Sequence, residues 1–70
     1  MKITTSRKDL VIGTEVVNRN GDYRIYKLKR YDNLHNYYNA NVYELDDEGE
    51  KILVGEISLT PSDLIGNEII

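Results

Sequence analysis

The chain lacks cysteine, phenylalanine and tryptophan altogether, and it has a single proline among its 70 residues. Neither a disulfide nor a cysteine-based metal site can therefore stabilise the fold. Aliphatic residues and six tyrosines must form the core, within a hydrophobic fraction of 40%. Because a chain of this length buries only about 60% of the surface that it exposes when unfolded, we expect one small domain with a thin core, spanning residues 1–70.

Long apolar runs are also missing. No stretch approaches the length of about 20 apolar residues that spans a bilayer, and the opening residues MKITTSRKDL lack the apolar segment of a signal peptide. We therefore expect a cytoplasmic protein without a membrane partner. Residues 1–6 are expected to form either a flexible tail or an edge strand.

Patterns that carry catalysis or metal binding are scarce. The lone histidine, His35, has no local arrangement that marks a nucleophile and its base. The acidic run at residues 46–50 does not match the alternating ligands of a calcium loop, and no glycine-rich phosphate loop is present. The sequence therefore predicts no enzyme, no cofactor and no metal site.

Strand-like patterns dominate the middle of the chain. Tight turns are predicted at residues 19–22, where Asn and Gly favour a hairpin, and at residues 46–49, which end in glycine. Gly13 and Gly55 interrupt apolar runs and predict bulges or bends. The aliphatic residues around Gly55 are typical of a central strand. Four strands are predicted: 10–18, 23–31, 37–45 and 51–59.

The end of the chain has a helix-start signal. Thr60 can cap free N–H groups, Pro61 suits the first helical position, and Gly66 ends the turn. Residues 67–70 then predict a short closing strand. These parts resemble a mostly β fold of the small SH3-like or related curled antiparallel barrel type, with four or five strands and one short C-terminal helical turn. The segment DLVIGTEVVNRNGDYRIYKL resembles the first hairpin of such barrels, and the resemblance implies no functional residues.

Charge is divided unevenly along the chain. Residues 1–31 hold eight basic and three acidic residues, net +5, and residues 32–70 hold one basic and nine acidic residues, net −8. Oppositely charged strands could simply pair across the sheet. Alternatively, cations interleaved with tyrosines predict a single-stranded nucleic-acid site, although a pI of about 5.0 argues against it. Its residues would be Tyr23, Arg24, Tyr26, Lys27, Lys29 and Arg30.

The acidic part supports a second alternative. Carboxylates at one hairpin turn could imitate nucleic acid and occupy a basic protein, which would make the chain a decoy inhibitor. Small acidic phage proteins that imitate nucleic acid are similar in size and in sign of charge. The residues of this surface would be Asp46, Asp47, Glu48 and Glu50.

A tyrosine- and asparagine-rich segment at residues 31–39 supports the leading interpretation. Tyrosine offers a large contact area at low entropic cost, and asparagine offers adaptable hydrogen bonds. We therefore expect a non-catalytic protein-interaction module, an accessory or regulatory protein of a bacterium or phage. A homodimer through a sheet edge or the Ile69–Ile70 end is a further expectation. The predicted protein-binding residues are Tyr31, Leu34, His35, Tyr37 and Tyr38.

Overall fold

Residues 1–18 and 23–70 are described by a computed structural model, so the predicted turn at residues 19–22 lies outside the described residues. One five-stranded antiparallel sheet with the order β4-β3-β2-β1-β5 forms the fold. A mostly β domain with five strands and one helical turn is therefore confirmed. The elements are β1 (Glu15–Asn18), β2 (Arg24–Asp32), β3 (Tyr37–Leu45), β4 (Lys51–Leu59), a 3₁₀ turn (Pro61–Leu64) and β5 (Glu68–Ile69).

The first strand is shorter than the sequence predicts because a turn precedes it. The Thr14 N–H donates to the Val11 carbonyl (3.0 Å), and Gly13 has a φ of +94°. A positive φ at this point of a turn favours glycine. The predicted bend at Gly13 is therefore confirmed, and it limits β1 to Glu15–Asn18.

One face of the sheet carries the main apolar core, while the paired residues Val17 and Ile25 are buried on the other face. Alternate residues of β3 point to this core face, and the N-terminal segment and the 3₁₀ turn cover it. Ile3 is buried and Lys2 forms an antiparallel bridge with Glu68, so the first residues lie against the sheet. The core cluster comprises Ile3, Leu10, Val16, Tyr26, Leu28, Tyr38, Ala40, Val42, Leu59 and Leu64.

Tyr38 joins the sheet to the segment that covers it. Its side chain is completely buried, and its hydroxyl donates to the Arg7 carbonyl (3.0 Å) and accepts from the Leu10 N–H (3.2 Å). Burial is the main cause that raises the pKa of Tyr38. Because this hydroxyl satisfies two backbone groups, it fixes residues 7–10 over the core.

The predicted helical turn forms with its predicted cap. The Asp63 N–H donates to the Thr60 hydroxyl (3.2 Å), and the Thr60 N–H donates to the Asp63 carboxylate (2.9 Å). This reciprocal pair is a capping box. Gly66, with a φ of +95°, follows the turn and its N–H donates to Ile3, which leads the chain towards β5 beside β1.

The prediction of a central strand around Gly55 is wrong. β4 is an edge strand, and its residues 51–58 are exposed. After β4 the chain enters the 3₁₀ turn and crosses to the β1 side of the sheet, so no strand within residues 1–18 and 23–70 pairs with this edge. The pairing with β3 shifts by one residue beside Gly55, as the glycine predicts. Exposed aliphatic side chains here are Ile52, Leu53, Val54 and Ile57.

The sheet is open, since β4 and β5 are its two edges. The closure into an SH3-like barrel that the sequence predicts is therefore not established and stays a prediction. Among the described residues, no helix is long and apolar enough to cross a membrane.

Replacing Tyr38 with phenylalanine tests the two hydrogen bonds that its hydroxyl makes to residues 7 and 10. The change keeps the ring but leaves the Leu10 N–H and the Arg7 carbonyl without their partner. We expect the free energy of unfolding to fall by about 1–3 kcal/mol, measured by urea denaturation. Tyr37→Phe, at a half-buried tyrosine on the opposite face, is the matched control and should change stability by less than about 0.5 kcal/mol. Equal effects of the two substitutions would contradict the assignment.

Candidate interaction surfaces

A compact turn connects β2 to β3, and Asp32 organises it. Asp32 Oδ1 accepts from the backbone N–H groups of Leu34 (2.9 Å) and His35 (3.1 Å), and Oδ2 lies 3.0 Å from His35 Nδ1. The Asn36 N–H donates to the Asp32 carbonyl (2.8 Å), and Asn36 has a φ of +59°. Tyr31 donates its hydroxyl to the Asn36 side chain. These bonds hold the turn in one conformation without a buried core of its own.

The predicted protein-binding residues divide between the surface and the core. Leu34 is 85% exposed, and the exposed His35 ring stacks on the half-buried Tyr37 ring, with centroids 5.8 Å apart. Tyr31 is half-buried and packs on the buried Tyr38, with centroids 4.8 Å apart. Tyr38 is therefore corrected from contact residue to core residue, because its ring is inaccessible. Leu34, His35 and Tyr37, called the turn patch below, remain available for contact.

A β-bulge in β2 determines which side chains lie on the face of the sheet opposite the core cluster. Leu28 pairs with Ala40 and Tyr31 pairs with Tyr38, and all four side chains face the core. One extra residue on β2 lies in this interval, so Lys29 and Arg30 both project from the opposite face. This face, called the polar face, carries Lys27, Lys29 and Arg30 from β2, Tyr37, Asn39 and Asn41 from β3, and Glu56 and Ser58 from β4.

The six residues of the predicted nucleic-acid site do not share one surface. Tyr26 is buried in the core, so it is corrected to a structural residue that cannot stack on a base. Arg24 bonds to Glu44 (3.2 Å) and Lys29 bonds to Glu56 (2.9 Å). Tyr23, Lys27 and Arg30 are exposed. Pairing of oppositely charged strands, the simpler of the two interpretations, thus accounts for Arg24 and Lys29.

A third cross-strand ion pair reveals how the sheet curves. Glu15 lies on β1 and Lys51 on β4, with two strands between them. In a flat sheet three strand spacings of about 4.8 Å would keep their backbones about 14 Å apart across the sheet. Lys51 also lies five residues along β4 from Glu56, the residue in the same row as Glu15. Yet Lys51 Nζ lies 2.6 Å from Glu15 Oε2 and 5.2 Å from the centroid of the Tyr43 ring. The sheet therefore curves towards the polar face, and the bond to Glu15 raises the pKa of Lys51.

The predicted acidic surface is an ordered, exposed turn between β3 and β4. Asp46 Oδ1 accepts from the N–H groups of Glu48 (2.9 Å) and Glu50 (2.8 Å), and Gly49 has a φ of +81°. Asp46 thus stabilises the turn, and Asp47, Glu48 and Glu50 point to solvent. Within residues 1–18 and 23–70, no group of three or more acidic or histidine side chains is arranged to hold a metal ion. The decoy function stays a prediction.

Sequence reasoning missed the exposed edge at β4. Its aliphatic run is typical of burial between two neighbours, whereas the strand has a neighbour on one side only. β4 is one of the two edges at which the predicted homodimer could pair, the other being β5 beside the Ile69–Ile70 end, and the homodimer stays a prediction. However, the bulge beside Gly55 interrupts the edge and the charged residues Lys51 and Glu56 flank its aliphatic run, which are devices that oppose strand addition.

Comparison with known proteins gives no relative: no family model matches the chain, and no curated protein or solved structure matches it significantly. The interpretation of these surfaces therefore depends on their own geometry.

Acidification tests the role of Asp32 in the turn. The hydrogen bond from the His35 side chain, with the backbone N–H groups of His35 and Leu34, holds the pKa of Asp32 below its usual value near 3.8. A lowered pKa means that ionised Asp32 stabilises the turn above pH 3.8, and this is lost as the pH falls through the lower value of the folded state. NMR shifts of the Leu34 and His35 amides should titrate below pH 3.8, and Asp32→Asn should remove that transition. A midpoint at or above 3.8 would contradict the assignment.

Proposed function

We propose that the chain is a small non-catalytic protein-interaction module, built on a curled SH3-like sheet, and that the turn patch of Leu34, His35 and Tyr37 contacts the partner. One observation carries this proposal: Leu34 is 85% exposed within a turn in which Asp32 accepts four hydrogen bonds from the residues that follow it. An exposed leucine on a rigid turn loses little conformational entropy when a partner buries it.

The rings beside Leu34 strengthen the proposal. Tyr37 and His35 stack with an interplanar angle of 17°, so they present a flat amphipathic surface of the kind that is enriched at interface centres. Beneath this surface, Tyr31 and Tyr38 pack into the core. The rigid layer below explains how a short turn can offer a defined contact surface.

Loss of partner capture tests the turn patch. The double substitution Leu34→Ser with His35→Ser should abolish capture of a partner that the unmodified chain retains. The substitution removes the side-chain bond of His35 to Asp32, but the fold should stay intact because both side chains are exposed and the backbone N–H groups of residues 34 and 35 still donate to Asp32. Affinity capture from cells that encode the protein, followed by mass spectrometry, measures the loss. Val11→Ser is the matched control, since Val11 is an exposed aliphatic residue at 74% elsewhere on the chain. Partner capture that survives the double substitution would refute the proposed site.

A second candidate function is single-stranded nucleic-acid binding on the polar face. The bulge favours it, because it adds Arg30 to the face that already carries Lys27 and Lys29, and Tyr37 on that face could stack on a base. Against it, Glu56 already neutralises Lys29. The candidate site therefore contains fewer residues than the six that the sequence predicts.

Salt dependence separates this candidate from the first. Phosphate contacts by Lys27 and Arg30, the two cations of this face that Glu56 does not pair, should give a slope of about −1.4 in log affinity against log salt for a single strand, measured with a fluorescent oligonucleotide. The double substitution Lys27→Gln with Arg30→Gln should flatten the slope, and Lys8→Gln should leave it unchanged. An oligonucleotide that fails to bind at low salt would remove the candidate.

A further inference from the structure

Arg30 is the cation on the polar face whose partner is neutral. Lys29, its neighbour on the same face, lies 2.9 Å from Glu56 Oε1. No carboxylate among residues 1–18 and 23–70 forms an ion pair with Arg30. The bulge therefore places the Arg30 guanidinium, which keeps its full charge, beside Lys29, whose charge is neutralised by Glu56. Bulges often redirect a side chain towards a functional site.

Two donors on one edge of the Arg30 guanidinium form a fork, and this fork already holds a neutral oxygen acceptor. In the orientation of Asn39 that satisfies the hydrogen bonds on both sides, its carboxamide oxygen accepts from Arg30 Nε (2.7 Å) and Nη2 (3.2 Å). The Asn39 NH₂ group then donates to Ser58 Oγ (3.2 Å). Two donors of one guanidinium edge thus share a single amide oxygen. A carboxylate offers two oxygens to the same edge and binds it more strongly, because it is charged and bidentate.

The fork opens into a recess on the polar face. Lys29, Arg30, Asn39 and Glu56 line this recess, and a second recess continues past Asn39 to Ser58. We propose that Arg30 binds a carboxylate group here, with the ligand replacing the Asn39 oxygen on the Nε–Nη2 edge. Asn39 and Ser58 are the neighbouring donors that a second ligand oxygen can reach.

The surrounding charges select a single carboxylate over a more highly charged anion. Glu56 lines the same recess and repels a second negative charge. Because Lys29 is already paired with Glu56, Arg30 supplies the one uncompensated positive charge of the recess. A group with two negative charges, such as a phosphate monoester, would need a second unpaired cation, and the lining of this recess does not supply one.

Tyr37 lies next to Asn39 on the polar face, so the carboxylate site adjoins the turn patch. If the partner is a protein, an aspartate, a glutamate or a chain terminus would supply the carboxylate. This extension to an acidic partner depends on the proposed function, whereas carboxylate binding by Arg30 does not. The shared chemistry is the carboxylate, and the source is decided by experiment.

Titration with sodium acetate, followed by NMR, tests the site on the full chain. Sodium chloride at equal ionic strength is the reference. We expect saturable shifts of the Arg30 Nε–H and the Asn39 amide with acetate only. Arg30→Lys should weaken binding by about tenfold or more, because lysine keeps the charge but lacks the planar fork, and Lys8→Gln should leave it unchanged. Shifts that chloride reproduces, or that survive Arg30→Lys, would overturn the proposal.

Asn39→Asp is a second test that retains Arg30. The new carboxylate would occupy the guanidinium edge from within the chain and act as a permanent competitor, so acetate binding should disappear. Undiminished acetate binding in this variant would refute the fork geometry. The double substitution Leu34→Ser with His35→Ser should not alter the acetate titration, which separates failure of this site from failure of the turn patch.

A blocked tripeptide with a central aspartate distinguishes the two sources of carboxylate. Binding tighter than that of acetate, and weakened by Arg30→Lys, supports a protein partner. Binding of acetate without binding of the peptide overturns the extension to an acidic protein partner and assigns the site to small carboxylates.

Discussion

The register between β2 and β3 is the constraint on which the other features depend. A single extra residue at Lys29 changes which side chains face the core on the two halves of β2. Before the bulge Tyr26 and Leu28 enter the core, and after it Tyr31 does so. Without this shift Tyr31 would project from the polar face and Arg30 would face the core, because one residue of slippage reverses every side chain of a strand. The bulge thus protects the core and creates the cationic end of the polar face.

The strand order brings many of the oppositely charged residues of the sequence next to one another. Residues from the basic part of the chain and from the acidic part become neighbours when β2 pairs with β3 and β4 follows. Arg24–Glu44 and Lys29–Glu56 each join the two parts, and Lys51–Glu15 joins them in the reverse sense. Exposed pairs of this kind stabilise a fold by at most about 1 kcal/mol each. Their main consequence is that few cations remain for a ligand.

The sequence was informative where a local interaction determines the conformation. Gly13, the Thr60–Asp63 cap and the strand at Tyr37–Leu45 could be predicted, because each depends on residues within a few positions. The edge position of β4 could not be predicted, since it depends on where the chain goes after Leu59. Nor could the sequence predict which face of the sheet carries Tyr38 and which carries Arg30, because both depend on the pairing partner and on the bulge. Mixed apolar and basic residues on β2 were the available signal of that bulge.

Most of the core residues and the residues proposed for contact lie on different faces of the sheet. The N-terminal segment, held by Tyr38, and the 3₁₀ turn cover the core cluster and bury its side chains. The turn patch and Arg30 lie at the opposite face or beyond the end of the strands, and their side chains contribute little to the core. A small domain without disulfides has little stability to lose. Substitution of the exposed residues proposed for contact should therefore cost little stability, whereas substitution of the buried Tyr26 or Tyr38 should cost more.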